Sequence, residues 1–242
     1  MLILRYSLLL AVLVSGICRA DMPVVTVGYY DFPPSIYTTP EGRTQGPLFD
    51  LLTRMLHRAG YTPEFRAMPI ARLYNELREG RVDLWAGAPH KQELQGHVLE
   101  SDRPLAEVRL NLYYRPDTPA PKVPDDLAGK VMIMLSGYSY WPHTRDLLLD
   151  PAREIVQLRT HHRESALELL RRQRGDYLLD YQLPIDQVLK RTGQPPLPYV
   201  TVENLPIRLV VSRKSYDAPL LLQKMDEVFD QMQAAGEDMA LP

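Results

Sequence analysis

From Val24 onward the chain alternates between two apolar rhythms. "PVVTVGYY" (23–30) is a short β-branched and aromatic run, which predicts a strand. Leu48, Leu51, Leu52, Met55, Leu56 and Ala59 then recur at the spacing of one helix face, and Gly60 closes the helix. "YTPEFRAM" (61–68) predicts a second strand. "PIARLYNELREG" (69–80) predicts a helix that opens on Pro69, buries Ile70, Leu73, Tyr74 and Leu77, and stops at Gly80. "VDLWAGA" (82–88) is a third strand. The order β-α-β-α-β dictates a parallel sheet with helices packed on it, because parallel neighbours need crossover connections.

Residues 91–105 read as irregular, and "AEVRLNLYYR" (106–115) alternates like a long strand. After a proline-rich loop at 116–129 the first rhythm returns. Strands are predicted at 130–135, 154–160 and 176–181, with a turn into a helix over 136–149 and helices at 163–174 and 183–191. "IRLVVSR" (207–213) is a last strand, and Leu221, Met225, Val228, Phe229 and Met232 mark the face of a last helix. Two β-α-β units joined by extended crossings near 106–113 and 203–209 imply two lobes with a cleft between them. Parallel sheets present ligands at the carboxyl ends of their strands. Tyr29, Tyr30, Phe32 and Tyr37 gather around Pro33 and Pro34 at such an end, so they are expected to form a cleft wall.

The first twenty residues change the picture. Arg5, the apolar run 8–17 and small residues at Cys18 and Ala20 predict a secretory signal peptide cleaved after Ala20. A lipoprotein signal fits less well, because Ile17 stands where a small residue is needed. The signal contains Arg5 and Arg19 of the 28 basic residues, which leaves 26 against 30 acidic ones, a net of −4. That balance argues against a nucleic-acid partner. The single cysteine lies in the signal, so no disulfide or thiol chemistry is expected in the remainder. His161 and His162 are adjacent in an extended segment, where side chains diverge, and no metal or other cofactor is expected. "GYSYW" lacks the second glycine of a nucleophile elbow. "RRQRG" suits a solvated helix end.

Four stretches carry a resemblance over almost the whole chain: "PPSIYTTPEGRTQGPLFDLL" (33–52), "LREGRVDLWAGAP" (77–89), "SDRPL" (101–105) and "DLAGKVMIMLSGYSY" (126–140). In this order they resemble the family 3 extracellular solute-binding proteins of polar amino acid ABC transporters, in a divergent branch with Pro69 and Arg72 in "MPIARLYNEL". The resemblance implies an α/β, two-lobed periplasmic binding protein-like fold of type II. Each lobe is then a mostly parallel sheet flanked by helices, with two hinge strands between. Residues 21–108 and 205–242 would build the first lobe and 109–204 the second.

Carried over residue by residue, the resemblance makes Phe32 the ring that stacks on a ligand. It makes Gly87 and Ala88, with Pro89 and His90, the ligand loop. The backbone at Gly137, Tyr138, Ser139 and Tyr140 becomes an anion-friendly helix start. Asp180 or Tyr181 takes the position that receives an amino group. The family's carboxylate-binding arginine falls on Leu94 or Gln95, which cannot make a forked ion pair. Lys91 would have to reach back, and Arg72 is the candidate replacement. Tyr30 and Trp85 complete the candidate set. Each has a plain structural alternative: core packing for Tyr30, Phe32 and Trp85, an i,i+4 pair with Glu76 for Arg72, a cap for Asp180, and lobe-edge aromatics for Tyr138 and Tyr140.

The function implied is capture of a small polar molecule, amino-acid-like but not a standard α-amino acid, for ABC-type uptake or sensing. The partners implied are that ligand and an inner-membrane permease or sensor, with a monomeric protein in the periplasm and no catalytic residue. Two rivals remain. One is a lyase-type enzyme on the same scaffold, using His90, Glu93 or Asp180 as acid or base. The other is a degenerate scaffold acting as an interaction module.

Overall fold

The structure, a computed structural model, describes residues 22–138, 140–239 and 241; the expected signal peptide and Ser139 lie outside them. The first lobe opens with β1 (Val24–Tyr29) and a small hairpin of β2 (Tyr37–Thr38) and β3 (Thr44–Gln45), then α1 (Pro47–Arg58). β4 (Thr62–Ala67), α2 (Ile70–Glu79), β5 (Leu84–Gly87) and the short β6 (Val98–Glu100) follow. β7 (Ala106–Tyr113) crosses to the second lobe. That lobe holds β8 (Val131–Leu135), α3 (Pro142–Leu149), β9 (Val156–Thr160), α4 (Arg163–Arg171), β10 (Tyr177–Tyr181) and α5 (Gln182–Arg191). β11 (Tyr199–Ser212) crosses back, and α6 (Ala218–Ala234) completes the first lobe.

The strands form one continuous sheet in the order β4-β1-β5-β11-β7-β10-β8-β9, with β6 also on β11. β1 is parallel to β4 and β5, and β8 is parallel to β9 and β10, as the β-α-β pattern requires. β7 and β11 run antiparallel in the middle of the sheet. They therefore join two parallel sheets by backbone hydrogen bonds as well as by chain connection. β11 is longer than its apolar core (207–213) suggests, because its polar first half pairs with β7.

The apolar periodicity lands where helix geometry puts it. Leu48, Leu51, Leu52, Met55 and Leu56 of α1 are all buried, packed with Val25 and Val27 of β1 and Met225, Phe229 and Met232 of α6. Leu73, Tyr74 and Leu77 of α2 pack with Trp85 and Val82. Gly80 ends α2 at φ 74°, a left-handed conformation that a side chain would oppose. In the second lobe Ala166, Leu167 and Leu170 of α4 join Ile185 and Leu189 of α5 on Ile133 and Leu178. Two expectations need correction. The stretch 91–105 contains a turn of 3₁₀ helix and β6. α3 starts at Pro142, after the expected turn, and not at 137–140 where the resemblance placed the helix start, since proline is favoured at the first helical position. Gly137, Tyr138 and Tyr140 thus belong to the turn before the helix. Among the described residues no helix is long and apolar enough to cross a membrane.

Candidate functional site

The aromatic wall is built by local hydrogen bonding at the carboxyl end of β1. The Asp31 carboxylate accepts from Thr38 N at 2.9 Å, and Phe32 N donates to Ile36 O at 2.8 Å. Tyr29 points into the core, where its hydroxyl bonds Thr38 and Thr44 at 2.9 Å each and ties the loop to the strand. Tyr30 and Phe32 are left facing the other lobe. Tyr30 meets Tyr138 edge-on at 5.9 Å between ring centroids, and Phe32 meets Tyr181 at 5.4 Å. Tyr138 and Tyr181 are themselves 5.8 Å apart. Edge-to-face pairs at these distances are attractive beyond the area they bury. The two lobes therefore touch through four rings that the sequence places in three separate segments.

Behind the rings lies a small cavity of about 50 Å³, walled by Tyr30, Phe32, Trp85, Gly87, Ala88 and Tyr181. Trp85 is 2% exposed and packs on Tyr74 and Tyr30. Its ring lies over Gly87, where an added Cβ would stand only 1.9 Å from the indole. Trp85 and Gly87 are two residues apart on one strand face, so the ring can lie flat along β5 only because Gly87 has no side chain.

Arg163 is the residue that sequence reasoning missed. It opens α4, where a cation works against the helix dipole and so demands a compensating partner. That partner is Asp180 at the end of β10: Arg163 Nε donates to Asp180 Oδ2 at 2.9 Å, and Tyr181 N donates to Oδ1 at 2.7 Å. Arg163 Nη2 also donates to the Tyr138 hydroxyl at 2.7 Å, and its guanidinium lies 5.6 Å from the centre of that ring. Burial pushes the Asp180 carboxyl up, and the Arg163 charge only partly opposes it. Burial likewise holds the Tyr138 phenol up at about 12 and the Tyr30 and Tyr181 phenols well above their usual value. All three stay protonated at neutral pH. A cation at a helix start was the available warning in the sequence.

A second contact between the lobes joins the turn after β5 to the start of α3. Trp141 Nε1 donates to Pro89 O at 2.6 Å, Arg145 bonds Gln92, and the Lys91 ammonium sits 5.6 Å over the Trp141 ring. Trp141→Phe keeps the ring and deletes the donor. One such bond contributes about 1 kcal/mol, so the variant is expected to shift the closed-to-open ratio about fivefold and to enlarge the radius of gyration. An unchanged radius by small-angle scattering would show that this contact takes no part in holding the lobes together.

The remaining candidates divide. Tyr30, Phe32, Trp85, Gly87, Ala88, Tyr138, Asp180 and Tyr181 are brought together. Tyr140 lies beside them on a neighbouring cavity with Trp141. Arg72 is not brought in: its side chain is 69% exposed on the outer face of α2 and pairs with Glu76 at 3.6 Å, since position 72 falls on the polar side of the helix. Leu94 is buried in the first lobe's core. His90 faces Glu100, with Nδ1 at 3.0 Å from its carboxylate. Among the described residues no three His, Cys, Asp or Glu are placed to hold a metal ion.

The model of the bacterial extracellular solute-binding proteins, family 3, matches residues 25–241. This chain belongs to that family. No curated protein matches the sequence. Among solved structures, an ancestral arginine-binding protein bound to arginine is similar at 20% identity and TM-score 0.72, over 89% of this chain and 95% of that one. A histidine kinase sensor domain with similarity to periplasmic binding proteins is similar at 21% identity and TM-score 0.73, over 88% and 91%. An ancestral amino acid-binding protein, a precursor of cyclohexadienyl dehydratase, is similar at 18% identity and TM-score 0.67, over 88% and 90%. At these identities the likeness establishes the two-lobed fold, and a family 3 fold hosts more than one activity.

Proposed function

We propose that this family 3 protein captures a small polar molecule between its lobes and presents the closed form to a membrane partner, a transporter permease or a sensor, from the periplasm. The reading rests chiefly on one observation: rings from both lobes converge over the carboxyl ends of the parallel strands, at Tyr30–Tyr138 and Phe32–Tyr181. A ligand that touches both walls favours the closed state by its differential affinity. The hinge is the pair β7 and β11, with the first lobe formed by 21–108 and 205–242. Phe32 stacks on the guest and the protonated tyrosines bond its polar atoms. We read the protein as a monomer and as a binder, since the carboxylate best placed for acid–base work, Asp180, is already held by Arg163.

The test is a thermal-shift screen followed by scattering on the saturated protein. A bound compound should raise the melting temperature and compact the molecule. Phe32→Ala is expected to weaken that compound about tenfold, the equivalent of about 1.4 kcal/mol for a lost aromatic contact, with little change in the melting temperature of the free protein. Equal affinity in the variant would return Phe32 to a packing role. Turnover of the bound compound would overturn the binder reading in favour of an enzyme.

A further inference from the structure

We propose that the guest carries a short apolar tail that enters the first lobe behind the rings, and that Leu241 caps this slot and sets the length of tail it takes. This rests on the binding reading above and gives its ligand an apolar end. The cavity behind the rings continues into the first lobe. Beyond Tyr30, Phe32 and Tyr181 it is walled by Val27 of β1, Leu48 and Leu52 of α1, Ile207 of β11 and Leu241. Among the described residues that line it, none is charged. An ammonium or carboxylate pushed into such a slot would lose its water and gain no partner. An alkyl group gains instead, about fourfold in affinity for each methylene buried. The slot holds about 50 Å³. A single water needs about 10–15 Å³ and a void of about 150 Å³ takes benzene, so there is room for about two or three carbons.

Leu241 is brought to the slot by a strap. After α6 the chain turns at Gly236, φ 66°, and Glu237 N donates to Met232 O at 3.1 Å. The Glu237 carboxylate then pairs with two arginines of α1, Arg58 Nη2 at 3.0 Å and Arg54 Nη1 at 3.5 Å. Arg54 Nη2 also donates to Asp238 O at 2.7 Å. Arg58 and Arg54 lie one turn apart, so the strap climbs α1 from its end toward its start. Met239 and Leu241 pack on the first-lobe core, and Leu241 lines the slot together with Leu52 and Leu48, which are nearer that start. Strand and helix residues around the slot are locked into the sheet and the helix face. The strap is held by exposed ion pairs, which are weak, and Leu241 is half-buried. A change of side chain at 241 therefore alters the depth of the slot without repacking the sheet.

The experiment is titration calorimetry of the purified protein and of Leu241→Ala and Leu241→Phe against the neutral amides acetamide, butanamide and hexanamide. In the parent, affinity is expected to rise about fourfold per methylene as far as butanamide and to fall beyond it. Leu241→Ala should move the optimum to hexanamide, and Leu241→Phe should move it back to acetamide. If the thermal-shift screen yields a guest with an apolar tail and the amides stay silent, homologues of that guest take their place and the same shift decides. A readout without ligand runs beside it. In a shared Trp141→Phe background, Trp85 lines the slot, and acrylamide should quench its emission more strongly in Leu241→Ala than with Leu241 in place. An optimum that stays put in a folded Leu241→Ala, or unchanged quenching, overturns the proposal. If the screen finds a guest that binds and compacts the protein but has no apolar tail, the proposal falls and the binding function stands. If nothing in the series or the screen binds or compacts it, both fall.

Discussion

Arg163→Met is expected to lower the unfolding free energy by about 3–5 kcal/mol at pH 7, the cost of removing one partner from a buried ion pair. Asp180 is 2% exposed and the Arg163 side chain 12%, so water cannot replace the lost guanidinium. The Tyr138 hydroxyl loses its donor in the same step. The deficit should depend on pH with a definite sign. Burial already raises the Asp180 pKa, and without Arg163 it rises further. A carboxyl whose folded pKa is raised contributes most below its unfolded value, and that contribution is lost as pH rises through the folded value. The variant should therefore recover stability relative to the parent as pH falls from 7 toward 4. Urea unfolding at several pH values measures this directly. The double variant Arg163→Met/Asp180→Leu should be more stable at pH 7 than Arg163→Met alone, because no buried charge remains. A loss under 1 kcal/mol in the single variant, flat with pH, would mean that the pair is solvated and the cleft open.

Gly87→Ala is the second large effect. The new methyl would sit 1.9 Å from Trp85 Cζ2 and 2.1 Å from Cε2, far inside contact distance. The Trp85 ring is buried between Tyr74 and Tyr30 and has no free direction within its layer. It must leave the strand face or push the sheet apart. Overpacking of this kind costs about 3 kcal/mol, the upper end of its usual range. Displacing the ring also removes part of the wall that positions Tyr30. Loss of ligand response together with lost stability is the expected result. The protein has two tryptophans, Trp85 and Trp141, so a Trp141→Phe background leaves Trp85 emission as the readout. A red shift in Gly87→Ala would report the exposed ring. Unchanged emission and stability would show that the ring has an alternative seat.

The elements were legible because their causes are local. The apolar stripe of α1 and the glycine after α2 act over a few residues, and each lies where spacing predicts it. The long strand at 106–113 and the apolar end of β11 were legible for the same reason. The site was legible in part. Phe32 and Tyr30 were picked out because aromatics stand at a strand end, where a parallel sheet presents its ligands, while Trp85, inside a strand, had core packing as its plain alternative. Arg72 was misleading: an arginine one turn into a helix beside the cleft reads as a ligand group until the helix's rotation is known, and here it faces out. Arg163 went unnoticed because its partner lies 17 residues away across two elements.

By itself, the sequence determined the alternation of strand and helix and the two crossings, since hydrophobic period and turn residues are written along the chain, and four motifs in order carried the resemblance to the family 3 proteins. Only the tertiary structure decided which charges are used up. Asp180 belongs to Arg163, and Lys91 lies over Trp141, 50 positions further along. Those pairings depend on how a twisted sheet brings separate strand ends to one place, and no local pattern of residues carries that distance.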